Sequence, residues 1–321
     1  MKWLHRFLLR FNFYKNFLAR AKTIYMPGFG KVSLYTIGAF FSNEVSLNSL
    51  YNRASSLAYS FLLATFPVVI FLFTLIPYIH VNNFQETLLN IISTVLPTNA
   101  YLAFQNTIED IVKHQNLSLL SFGFLSAMIF ATNGVAKLMN SFNNAALAVE
   151  NRSWLKRRWI ALGLTMLIAL SLFVAITILV IGQAAIYLIK NHFFEKSQVW
   201  IYVIGLVRWI IVVALFFVTI AILYRFGPAN KRRWNFVSPG AVLATALAVL
   251  TSMGFSFYIN NFSSYNKIYG SIGTLIVVML WLYLNSLIVL IGFELNAGID
   301  LSARNIKIER PRYNTFRRPN E

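Results

Sequence analysis

The chain has 321 residues, of which 58% are apolar and only 12% charged, and its formal net charge is +18. Soluble domains carry roughly 25% charged residues, so this composition excludes an ordinary water-soluble globule and makes the bilayer the solvent for much of the surface. Cysteine is absent, which excludes disulfides, thiolate nucleophiles and thiolate metal sites.

Residues 1–25 place Arg6, Arg10, Lys15, Arg20 and Lys22 among Trp, Leu and Phe. This pattern predicts a basic amphipathic segment lying in a membrane interface. It lacks the compact apolar core of a cleavable signal peptide, so the first span is expected to direct insertion. Pro27, Gly28 and Gly30 break the segment, and a second interfacial helix is expected over 33–51. Residues 1–52 thus read as a basic arm. Six apolar runs follow, at about 54–79, 117–138, 159–189, 199–223, 236–259 and 271–299. Each is long enough to cross about 30 Å of hydrocarbon as a helix. Pro67 predicts a kink in the first. Amphipathic stretches at 84–96 and 100–114, separated by Pro97, predict a short helical insertion on the outer face over 80–116. The second run continues as a polar helix towards Val149, and the third is long enough to tilt or protrude. The expected fold is all-α: a polytopic membrane protein with six transmembrane helices over 53–300, N-terminal interfacial helices, the outer-face insertion, and a basic tail over 301–321. No strong internal repeat is visible.

The placement of charge gives an orientation. Twenty-two of the 28 Lys and Arg fall in the arm with Arg53 at its end, the loops Asn151–Arg158 and Arg225–Trp234, and the tail. Alternate gaps are therefore basic, which predicts that both termini are cytoplasmic. The charges form short clusters beside spans. That favours anionic lipid headgroups as partners over nucleic acid. A homo-oligomer is left open, although no GxxxG run marks a face for it.

Polar residues at membrane depth are expensive and point to function. Ser126, Asn133, Lys137, Asn140 and Asn144 are spaced by 7, 4, 3 and 4 residues. At about 100° per residue they form one narrow stripe. The stripe is expected to face the bundle interior or a wet cavity, where it either stitches helices together or lines a substrate path. A weaker stripe in the first run holds Arg53, Ser56, Ser60 and Thr74. In the sixth run, Asn285 and Asn296 share a face. Glu294 and Lys137 count to similar depths, so they could pair; Arg53 competes for Glu294, and both could instead snorkel to the interface. Arg208 lies nine residues into the fourth run, at a depth that does not match Glu294. Gln183, Asn285 or a freed carbonyl would satisfy it. It reads either as an anion holder, through its bidentate fork, or as structural.

Catalytic patterns are missing. His5, His80, His114 and His192 form no i,i+4 pair, and there is no HExxH, phosphate loop or nucleophile elbow. Neither an enzyme nor a cofactor or metal is expected.

Several segments resemble the YihY/BrkB family of bacterial inner membrane proteins. They are RASSLAYSFLLATFP (53–67), NSFNNA (140–145), LYRFGP (223–228), SPGA (238–241), YGSIG (269–273), WLYL (281–284) and GFELNA (292–297). The resemblance runs from about 35 to 300 in the family's order. One departure is Phe293, where the family usually has Ala before the Glu. The resemblance implies a six-span protein of the bacterial inner membrane. It also brings an old ribonuclease BN label and links to envelope lipid phenotypes. The carboxylates here are too few for the label. The leading expectation is a transporter or flippase-like protein for an amphiphilic anionic envelope substrate. Its rival is a structural or regulatory protein that organises partners without transport, with a membrane-bound enzyme third.

Overall fold

A computed structural model describes residues 49–78, 114–192, 198–229, 234–261 and 271–303, together with positions 16, 19, 20 and 110. Helix α1 spans Ser49–Leu75 and ends in a 3-10 turn at Ile76–Tyr78. The others are α2 (Leu117–Ala145), α3 (Trp154–His192), α4 (Gln198–Phe226), α5 (Pro239–Asn261) and α6 (Ser271–Ala303). All six are long and apolar enough to cross a membrane. Even α5, with 23 residues, reaches about 35 Å at 1.5 Å per residue. The all-α, six-span architecture read from the sequence is therefore what the chain adopts. Most of the arm, most of the insertion expected over 80–116 and the tail beyond Ala303 lie outside the described residues. Pro67 sits inside α1, which continues past it to Leu75.

Each helix packs on the next in sequence, and α6 closes on α1, so the six form a ring in chain order. α6 also touches α2 across the ring. The starts of α1, α3 and α5 and the ends of α2, α4 and α6 lie together. Arg53, Arg152, Lys156, Arg157, Arg158 and Arg225 are all near them; this is the basic end. The outer surface is aliphatic and aromatic, as at Leu170, Phe173, Ile176 and Ile210. That is the surface expected where lipid is the solvent.

Glycine sets the close approaches. Gly123 and Gly134 are eleven residues apart on α2 and so share a stripe. A Cβ at Gly123 would come 3.1 Å from the Phe71 backbone nitrogen, and one at Gly134 would come 2.9 Å from the Phe61 ring. α1 seats itself in this groove. At the α5–α6 crossing a Cβ on Gly240 would overlap the Gly292 carbonyl oxygen. Asn296 locks the same crossing. Its Oδ1 accepts from Gly240 N (2.7 Å), and its Nδ2 donates to Ser238 Oγ (2.8 Å). Ser238 in turn accepts from Ala241 N (3.3 Å), so two side chains cap the start of α5, with Pro239 in the first turn.

Beneath the basic end lies an aromatic cluster. Phe142 of α2 stacks on Phe293 of α6 with centroids 4.1 Å apart, and Tyr224 of α4 meets both rings edge-on. Trp234 covers Phe293 at 4.9 Å. The buried Tyr224 hydroxyl donates to the Val289 carbonyl (2.7 Å), which satisfies its polar end.

A polar clasp joins two connections above this cluster. Arg152 Nε and Nη2 donate to the two Glu150 carboxylate oxygens, each at 2.7 Å, and Nη2 also reaches the Gly227 carbonyl (3.0 Å). Asn143 donates to Glu150 (2.8 Å) and accepts from Ala229 N (2.6 Å). The α2–α3 and α4–α5 connections are thereby tied together. The Arg152 hydrogen bonds, helped by Asn143 and opposed by partial burial, hold the Glu150 carboxyl down at about 2 from its usual 4.5.

Two outcomes follow for stability. Gly292→Ala should lower the melting temperature in detergent by several degrees, because its Cβ would meet the Gly240 carbonyl oxygen, the hydrogen-bonded Tyr224 hydroxyl and Ala244 Cβ at 2.5–2.7 Å, and overpacking costs roughly 1–3 kcal/mol. Glu150 is held below its unfolded value, so its contribution is full above about pH 4.5 and fades as the pH falls towards 2. Melting curves of the wild type should therefore converge on those of Glu150→Gln on acidification, having been higher at pH 7.

Candidate functional site

The polar residues of the membrane-spanning segments divide into three settings. The first is the junction of α1, α2 and α6. Glu294 is buried at 1% exposure, and Arg53 Nη2 donates to its Oε1 as an ion pair. Arg53 also donates through Nη1 to the Ser141 carbonyl (3.1 Å) and through Nε to Ser49 O (3.3 Å). One guanidinium thus ties three helices. Of the partners the sequence left open for Glu294, the structure has Arg53 rather than Lys137. The reason is level along the helices: Ser141 and Lys137 lie on one side of α2, a turn apart, and Lys137 reaches Ser60, seven residues beyond Arg53 on α1. Asn296, two residues beyond Glu294 and so on another side of α6, is taken up by the α5 cap described above.

The second setting is the outward face of α2. The predicted stripe exists, but it does not face the interior. Asn133, Lys137 and Asn144 are exposed, and Ser126 and Asn140 are half-buried. The opposite face of α2, with Val135, Met139 and Phe142, carries the packing. The core requires the apolar side of this amphipathic helix, so the amides are turned out. Lys137 Nζ donates to Ser60 Oγ of α1 (3.1 Å), and Arg158 of α3 donates to Asn133 Oδ1 (2.6 Å). Asn133 and Lys137 are four residues apart and hence neighbours on the helix surface. Two cations therefore flank one short stretch of α2, and each rests on a neutral oxygen. At this end Arg53 and Arg152 hold carboxylates; Lys137 and Arg158 hold none among the described residues.

The third setting is a central cavity of about 180 Å³ between α1, α2, α3, α4 and α6. Its lining is almost wholly apolar, typified by Phe61, Leu138, Ile168, Leu215 and Val289. Of the residues singled out from the sequence, only Asn285 borders it, and its amide donates to the Trp281 carbonyl within α6 (2.8 Å). The expectation that the α2 stripe lines a cavity is thus corrected: none of its residues borders this one, whose lining is almost wholly apolar.

Arg208 borders none of these. Its stem lies over Gly182 of α3, where a Cβ would come 2.6 Å from Arg208 Cδ, and Nη1 points to the Leu179 carbonyl at 3.5 Å. Of the partners expected for it, a carbonyl is the one seen; the Gln183 side chain lies outside the described ones. Among the described residues, no three His, Asp or Glu side chains converge as a metal set would.

Sequence reasoning missed Arg158, the Glu150 clasp and the glycine grooves. Glu150 carried a signal, being the one acidic residue between Asp110 and Glu195 in a basic stretch. The spacing of Gly123 and Gly134 was another.

Removing one partner of a buried ion pair leaves the other charge uncompensated, at a cost of roughly 3–5 kcal/mol. Arg53→Met alone should therefore destabilise the protein strongly in detergent melts. Arg53→Met combined with Glu294→Met should recover most of the loss, giving a large coupling in a double-mutant cycle. Additive effects would mean that the pair does not hold the helices.

Comparison with known proteins agrees with this architecture. The family model described as virulence factor BrkB matches residues 41–314. Over 255 residues the chain is 32% identical to YfkH of Bacillus subtilis, a protein named as ribonuclease-like, covering 79% of this chain and 92% of that one. It is 27% identical over 273 residues to a UPF0761 membrane protein of Xanthomonas campestris pv. campestris, and 26% identical over 272 residues to one of Xanthomonas oryzae pv. oryzae. These matches cover 83% and 82% of this chain but only 61% and 60% of the Xanthomonas proteins. No solved structure matches the chain. A match that begins before α1 and ends beyond α6 takes in the whole helical ring, and the chain belongs to the BrkB family of membrane proteins.

Proposed function

We propose that the protein handles an amphiphilic anion of the bacterial inner membrane, such as an anionic lipid, and moves it between leaflets. The basic end lies in the cytoplasm in this reading, because Lys and Arg are retained there. The observation that carries it is the pair of cations on α2 and α3. Lys137 and Arg158 rest on neutral oxygens, while their neighbours Arg53 and Arg152 are paired with carboxylates. Both lie close to the basic end. Lys137 is eight residues, about 12 Å, from the end of α2, and Arg158 is four residues, about 6 Å, from the start of α3. That is headgroup depth. An anion there would gain two charge-assisted contacts, with Asn133 and Ser60 as adaptable neighbours.

A second reading is favoured by the apolar lining of the central cavity: the protein organises partners and moves nothing. Both readings leave the ribonuclease-like name of the Bacillus relative aside, because phosphodiester hydrolysis calls for converging acid, base or metal-holding groups.

The test is lipid movement in proteoliposomes, with fluorescent anionic and zwitterionic lipids. The double substitution Lys137→Gln, Arg158→Gln should slow the anionic lipid at least tenfold and leave the zwitterionic one nearly unchanged. Equal rates in wild type and variant would remove the cations from the mechanism. No movement of either lipid by the wild type would favour the organising role.

A further inference from the structure

The central cavity reaches the outer surface of the bundle. Leu172 of α3 and Phe216 of α4 line it, yet they are 52% and 41% exposed. The opening therefore lies at the α3–α4 seam, where the surrounding surface is apolar and the medium is hydrocarbon. At about 180 Å³ the void exceeds the roughly 150 Å³ of an apolar cavity that stays dry and takes benzene. A stable water needs two to four polar partners, and the lining has few left to give. Ser171 and Thr219 have already spent their hydroxyls on the Ile168 and Leu215 carbonyls of their own helices, at 2.9 and 2.8 Å.

One lining group is unmet. Ser286 is 3% exposed, borders the cavity, and its Oγ has no hydrogen-bond partner. A helical serine usually bonds back to the preceding turn; this one does not. An unmet hydroxyl in a low-dielectric setting is costly, so the site favours an occupant that supplies an acceptor or donor at that point.

We infer that the cavity binds a single-chain neutral amphiphile. Its one small polar group, a hydroxyl or a protonated carboxyl, meets Ser286, and its chain trails through the α3–α4 opening into the bilayer. The chain remains in hydrocarbon throughout, so only the polar group is desolvated, and Ser286 offsets that loss. An alkane would leave Ser286 unmet; a charged head would be stranded among apolar side chains.

The inference stands apart from the anion site, because its probes carry no charge. Protein in lipid nanodiscs is exposed to a long-chain alcohol bearing a diazirine beside the hydroxyl, and to the same chain without the hydroxyl. After illumination, labelled peptides are mapped by mass spectrometry. The alcohol should label α6 around Ser286 at least fivefold more than the alkane. Ser286→Ala should bring the two probes level, and Ala175→Phe, which fills the cavity, should abolish the difference by excluding both. Equal labelling by both probes in the wild type overturns the inference. So does an alcohol preference that survives Ser286→Ala, or unchanged labelling in Ala175→Phe.

Discussion

The ring depends on one buried charge being met. Glu294 lies among apolar side chains near the end of α6, where an isolated carboxylate would be strongly disfavoured. Arg53 meets it from α1, and the same guanidinium takes the Ser141 carbonyl of α2. The first helix is thereby joined to the last as well as to its successor. Sequential packing alone would yield an open row of helices. The Arg53–Glu294 contact fixes the rotation of both helices about their axes, because each charge has one low-energy direction in which to point. The stacked rings of Phe142 and Phe293 then fill the space beside it.

That fixed rotation explains why Asn133 and Asn144 of α2 lie outside. Ser141 must turn its carbonyl towards Arg53, and Phe142 must reach Phe293 and Tyr224. With Phe142 inward, Asn133, Lys137 and Asn144 are carried to the other side of the helix. The arrangement runs against the usual economy of membrane helices, in which polar groups turn inward. Neighbouring helices relieve part of it: Ser60 takes Lys137, and Asn133 takes Arg158. These contacts satisfy hydrogen bonds without cancelling charge. The contrast with Arg152, clamped by both oxygens of Glu150, is the clearest electrostatic distinction at the basic end.

Much of this was legible in the chain. Helix number and approximate limits follow from apolar runs, since a bilayer leaves the backbone few alternatives. The stripe on α2 follows from residue spacing, because helical periodicity is local. Its direction does not, because that depends on contacts with α1, α4 and α6 far away in sequence. Glu294 had three readings on residue counts alone, and those counts do not show that Lys137 lies opposite Ser60, seven residues beyond Arg53 on α1. Asn296 illustrates the same limit. Its membrane position suggested a ligand contact, whereas it caps α5, and only the Gly240–Gly292 crossing brings the two helices near enough for that.

Adjacent residues place the two candidate sites back to back. On α1, Ser60 turns to the polar surface while Phe61 lines the cavity; on α2, Lys137 and Leu138 do the same. Only the α1–α2 seam separates charged exterior from apolar interior. It is the largest helix interface in the ring, and glycine admits the Phe71 backbone at Gly123 and the Phe61 ring at Gly134. Parting it would expose Phe61 and Phe71 and break a continuous packed stripe. The α3–α4 seam is already open at Leu172 and Phe216. A ligand held at Lys137 therefore has no short route into the cavity, and one in the cavity communicates with lipid on the α3–α4 side. Any exchange between the sites must be transmitted through the helices themselves. Arg53 contacts α2 and α6, both of which border the cavity, and so touches the frame of both sites.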